Sequence, residues 1–131
     1  METIFSKIIR GEIPCYKIAE DEKYLAFLDI LPLSKGHVLV IPKVPTDYIF
    51  SIPDDDFMSL HLFSKRVALA IKKAIPCKRI GVAVIGLEVP HAHIHLVPLN
   101  NVSDINFSLP KLTISKEEMG EIAQKIRDQV N

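Results

Sequence analysis

The chain has 131 residues, 48% of them apolar and 24% charged, the balance of a soluble globular domain large enough to bury a single core. Sixteen basic residues offset sixteen acidic ones, and a formal net charge of zero argues against a protein built to coat nucleic acid. No basic segment followed by an apolar core opens the sequence, and no apolar run reaches the roughly 18–20 residues that cross a bilayer. Neither a signal peptide nor a membrane span is expected.

Ile4, Phe5, Ile8 and Ile9 fall on one helical face, and Gly11 stands where a left-handed cap ends such a helix. Cys15 and Cys77 lie far apart without a CxxC pattern and read as free thiols of a reducing cytoplasm. Residues 16–20 and 24–30 are strand-like runs joined by the charged turn Glu20-Asp21-Glu22-Lys23, a hairpin pattern. Residues 37–41, closed by Pro42 and Pro45, are short, apolar and rich in β-branched side chains, which favours a buried strand.

Pro53-Asp54-Asp55-Asp56 opens the longest helix, with an acidic first turn suited to the helix dipole. Phe57, Leu60, Phe63 or Ser64, Val67, Leu69, Ala70 and Ile71 recur at helical spacing, and Pro76 ends the segment. Residues 79–85 and 91–99 form two further strands around the turn region 86–90. After a polar, loop-like stretch from 100 to 113, Ser115-Lys116-Glu117-Glu118 resembles a capping box. It opens a C-terminal helix over about 115–130, carrying Met119, Ile122, Ile126 and Val130. The order of elements predicts one α+β domain over residues 1–131, with a mainly antiparallel sheet of about five strands.

Three of the five histidines fall within five residues, in His91-Ala92-His93-Ile94-His95. On a strand, His91, His93 and His95 share one face while Ala92, Ile94 and Leu96 turn to the core, with neighbouring imidazoles roughly 6–7 Å apart at Cβ. Three readings follow. The rings are merely hydrogen-bonded; or they ligate a metal, although no Cys, Glu or Asp stands at a companion spacing. In the third, a neutral imidazole attacks phosphorus, with one nitrogen free and the other held by an acceptor. Clustering favours this last reading, because neighbouring rings cannot all be charged at once.

The segment His91-Ala92-His93-Ile94-His95-Leu96-Val97 resembles the alternating histidine signature of the histidine triad (HIT) superfamily. The stretch from Thr3 through Phe5, Ser6, Lys7 and Gly11 to Pro14 is similar to the N-terminal block of its Hint branch. Leu25-Ala26-Phe27-Leu28-Asp29-Ile30 and Gly36-His37-Val38-Leu39-Val40-Ile41-Pro42-Lys43 are similar to the next two blocks. The resemblance runs over about residues 3–100.

It implies a HIT-like fold with a long central helix between N- and C-terminal helices. His93 is then the nucleophile, flanked by His91 and His95, which bind or orient the phosphate, with His37 as a fourth histidine. Asp29 matches the carboxylate that accepts the ribose hydroxyls. Phe5, Ile8, Ile13, Phe27 and Ile30 match the apolar walls around the base, residue types that serve a core equally well.

The implied enzyme is a cytoplasmic, homodimeric nucleotide-binding hydrolase of phosphoramidase type. It attacks the α-phosphate of nucleoside phosphoramidates or related conjugates through a nucleotidyl-histidine intermediate. Its partner is a purine nucleotide or nucleotide conjugate, with no nucleic acid, no membrane and no cofactor. The alternatives are a dinucleoside polyphosphate hydrolase and a nucleotide-binding regulatory protein with little turnover.

The sequence departs from the family pattern twice. Family members with a structural zinc carry cysteines in the N-terminal block, where this chain reads Ile4-Phe5-Ser6-Lys7, so no metal site of that kind is expected. Before the triad, Val84-Ile85-Gly86-Leu87-Glu88-Val89-Pro90 is shorter than the family's loop and lacks its asparagine. Glu88 stands about where a hydroxyl contacting the leaving group would be, and is a candidate general acid.

Overall fold

The computed structural model describes residues 2–130. Its elements are α1 (Ile4–Ile9), β1 (Lys17–Glu20), β2 (Tyr24–Leu28), β3 (Val38–Pro42), α2 (Asp54–Ala74), β4 (Arg79–Ala83), β5 (Ile94–Leu99) and α3 (Lys116–Arg127). Short 3-10 turns at Ile49–Ser51 and Val102–Ile105 interrupt two connections. The five strands form one sheet in the order β1-β2-β3-β5-β4, and every neighbouring pair is antiparallel.

α1 is held at both ends by local sequence. Thr3 and Ser6 exchange side-chain and backbone hydrogen bonds at its start. At its end Gly11 takes φ +78, with Gly11 N–H bonded to Ile8 O and Glu12 N–H to Lys7 O, the paired bonds of a Schellman cap. Ser115 caps α3 by accepting from Glu118 N–H, which is half of the capping box that the sequence suggests.

The pleat sorts the strands into two layers. Ala26, Leu28, Val38, Val40, Ile94 and Leu96 face the main core, together with Leu60, Phe63, Val67 and Ile71 of α2 and Met119, Ile122 and Ile126 of α3. Leu25, Phe27, Leu39 and Ile41 face the other way and form a second, smaller core with Phe5 of α1. β2 and β3 are therefore buried on both faces, which is why they read as unbroken apolar runs. Leu69 is a correction: it is exposed, because it lies about 200° around the helix from Val67 and from Ile71.

A second correction concerns the last strand, which begins at Ile94 rather than His91. Val40 pairs with Ile94, so the same register would set Pro42 opposite Ala92. Proline has no N–H to continue the ladder. Ala92 N–H bonds instead to Thr46 O at 2.7 Å, and His91 N–H to Val89 O at 2.8 Å. The side-chain alternation nevertheless persists, with Ala92, Ile94 and Leu96 all in the main core.

Candidate active site

The sheet register lines up the site before any ligand is considered. Phe27 lies opposite Leu39 and Leu39 opposite His95, so all three share the face away from α2 and α3. That face opens into a cavity of about 430 Å3. Phe5, Ile8, Ile13, Phe27, Asp29, Ile30, His37, Glu88, His93 and His95 all line it. Phe5 and Phe27 are core and wall at once, whereas Ile30 is an exposed rim residue.

His91 alone among the predicted site residues does not line the cavity. It is wholly buried, donates from Nε2 to Pro42 O at 2.7 Å, and meets the Phe5 ring edge-on. Burial pushes its pKa down. A role in binding phosphate through its ring is therefore corrected: its contribution to the site is its backbone carbonyl, which accepts from His93 Nδ1 at 2.7 Å.

That bond sets the tautomer of His93. A carbonyl accepts only, so in the neutral ring the proton sits on Nδ1 and Nε2 keeps its lone pair. Among the described residues, His91 Nδ1 is the single buried side-chain nitrogen or oxygen without a partner, so His93 Nε2 is open to the cavity.

A second chain of bonds fixes His37 and His95. Leu33 N–H donates to His37 Nδ1 at 3.0 Å, which requires the His37 proton on Nε2. His37 Nε2 then donates to His95 Nδ1 at 3.0 Å, leaving the His95 proton on Nε2. The pair titrates far below neutrality. Burial pushes His37 down to about 4, and burial followed by the neighbouring His37 and His93 pushes His95 down to about 3. His95 is thus a neutral donor beside His93, with ring centroids 5.0 Å apart.

Asp29 sits just beyond β2, where Leu31 N–H bonds its Oδ1 at 2.9 Å. Burial raises its pKa, partly offset by the Leu31 N–H, His93 and Lys111. Its Oδ2 lies 3.6 Å from His37 Nε2, beyond hydrogen-bond range.

Asp29, His37 and His95 have ligand atoms close enough together to surround an ion. The carboxylate companion that local spacing did not reveal thus comes from a distant strand end. The tautomers work against such an ion, however, because Leu33 N–H occupies His37 Nδ1 and the proton sits on Nε2, the atom facing the other two ligands.

Two lining residues are invisible to motif reading. Phe107 and Lys111 come from the segment after β5 and fold back over the histidines. The Phe107 ring meets His95 edge-on at 4.6 Å and His37 at 6.3 Å. Leu112 N–H ties this segment to Pro32 O at 2.9 Å. A polar loop carries no periodicity, so only its isolated aromatic could have signalled this docking.

Compared with known proteins, residues 10–102 match the family model of the HIT domain. The chain belongs to the HIT family. It is 35% identical over 136 residues to an adenosine 5'-monophosphoramidase of Schizosaccharomyces pombe, with 99% of each chain covered. Among solved HIT structures, a Hit-like protein from Bartonella henselae superposes with TM-score 0.84 at 31% identity, covering 98% of this chain and 96% of that one. A zinc-bound histidine triad protein from Mycobacterium smegmatis superposes with TM-score 0.85 at 27% identity, covering 99% and 94%. Among the described residues, no helix is long and apolar enough to cross a membrane.

Proposed function

We propose that the protein is a nucleotide hydrolase that cleaves nucleoside phosphoramidates through a nucleotidyl-His93 intermediate. The observation that carries this reading is the open Nε2 of His93, its other nitrogen locked to the His91 carbonyl. A nucleophilic imidazole needs that arrangement. The similarity to a phosphoramidase along nearly the whole of both chains supports the substrate class.

In the proposed reaction Asp29 accepts the ribose hydroxyls and the base packs between Phe5, Phe27 and the isoleucines. His93 Nε2 forms a bond to the α-phosphorus as the phosphorus–nitrogen bond breaks, and its electron pair leaves with the amine. The amine leaves on a nitrogen already protonated by solvent, and Glu88, at the rim of the same cavity, takes a proton from the water that attacks next. Water then forms the new phosphorus–oxygen bond and the bond to Nε2 breaks, releasing the mononucleotide. The imidazolium formed between the two steps is stabilised by the His91 carbonyl, while His95 Nε2–H donates to a phosphate oxygen.

A homodimer belongs to the same proposal. β4 is an unpaired sheet edge, and Val82 on it and Met58, Leu62 and Leu69 on α2 are exposed apolar side chains. Sedimentation reads that state directly, and a monomer at micromolar concentration removes it.

Trapping tests the chemistry. With adenosine phosphoramidate, acid-quenched wild-type protein carries an adenylyl group on His93, and His93→Ala binds the nucleotide without adduct or turnover. Undiminished turnover by His93→Ala, or hydrolysis of dinucleoside polyphosphates in place of phosphoramidates, overturns the reading.

A further inference from the structure

The cavity is lined by two carboxylates, Asp29 and Glu88, by three imidazoles and by one ammonium, that of Lys111. No other lysine or arginine lines it among the described residues. The segment that carries Lys111 is anchored rather than loose: Leu112 N–H bonds Pro32 O, Leu109 N–H bonds Asn106 O at 3.1 Å, and Phe107 sits on His95. Lys111 Nζ donates to Phe107 O at 2.7 Å and to Leu109 O at 3.1 Å. An ammonium has three N–H groups, so one is left for a ligand.

We infer that Lys111 binds the phosphate of the nucleotide and is the charge-bearing determinant that selects phosphorylated over unphosphorylated nucleosides. The inference rests on reading the cavity as a nucleotide site. Its physical basis is charge balance. An anionic phosphate entering here meets two carboxylates, and His37 and His95, held neutral by burial, offer hydrogen bonds but no net charge. Lys111 Nζ is bonded to the carbonyl of Phe107, whose ring packs on His95 and His37, which sets its ammonium on the histidine side of the cavity. Because the lysine is exposed, its contribution is screened by salt.

Calorimetric titration with AMP and with adenosine, at low and high salt, tests this on wild type, Lys111→Met and Lys111→Arg. The expected result is about tenfold weaker AMP binding by Lys111→Met, with unchanged adenosine binding. Lys111→Arg restores most of the loss, and the salt dependence of AMP binding is smaller in the methionine variant. Equal weakening for AMP and adenosine assigns the effect to Asp29 or to the loop and overturns the inference, as does unchanged AMP binding by Lys111→Met. If wild type binds neither compound, the nucleotide reading itself fails and this inference with it.

Discussion

Replacing His37 with glutamine turns the neutrality of the histidine pair into a measurable quantity. Glutamine does not titrate, and its amide keeps a donor toward His95 Nδ1. In the wild-type fold His37 takes up its proton only near pH 4, against 6.5 for an unperturbed ring. Between those values the unfolded chain binds more protons than the folded one, so stability falls as pH is lowered through 6.5 and the loss saturates below about 4. Integrating between pH 7 and pH 5 gives about 2 kcal/mol lost on account of His37 alone, with a similar loss from His95. Carboxylates with lowered pKa values, such as Glu20 and Asp104, titrate below this window, and Asp29 acts in the opposite sense. Urea unfolding at the two pH values supplies the numbers. The drop in His37→Gln should be about 2 kcal/mol smaller than in wild type, whatever its stability at pH 7. An equal drop in both proteins refutes the neutrality of His37 and with it the tautomer chain running from Leu33 to His95.

Asp29→Asn removes the acceptor assigned to the ribose diol. KM for a ribonucleoside phosphoramidate should rise about tenfold, while a 2',3'-dideoxy analogue shows no such change; equal effects on both substrates contradict the assignment. Gly36 takes φ +92, and an added Cβ would come within 2.9 Å of Ile75 Cγ1 and 3.3 Å of Pro98 Cγ. Gly36→Ala should therefore lose about 2 kcal/mol in chemical denaturation, and a loss below 0.5 kcal/mol would show that the turn relaxes at little cost (both magnitudes about those of a strained left-handed residue).

The parts of the molecule governed by repeating geometry are legible in the residues. Alternation predicts that Ala92, Ile94 and Leu96 face the core, and it holds even where the ladder stops, because side-chain direction follows the extended backbone rather than the hydrogen bonds. Gly11 and Ser115 mark helix ends because each supplies a local need, a positive φ or an acceptor. What escapes is whatever depends on a distant partner. His91 resembles its two neighbours in every local respect, yet Pro42, 49 residues away, turns its ring from ligand to buttress. Asp29 meets His37 and His95 only after three strands have paired. Phe107 and Lys111 arrive on a segment whose anchor, the Pro32 carbonyl, belongs to a turn near the other end of the chain.

The smaller of the two cores has an evolutionary consequence. Phe5, Phe27 and Leu39 belong to that core and also bound the cavity, so widening the floor for a different occupant also loosens the fold. Residues at the mouth that stand apart from that core are freer: Ile13 is half-buried and Ile30 is exposed. Drift in specificity within such a lineage is thereby channelled to the mouth, and a synthetic ligand that gains its affinity from the floor would be difficult to escape by mutation.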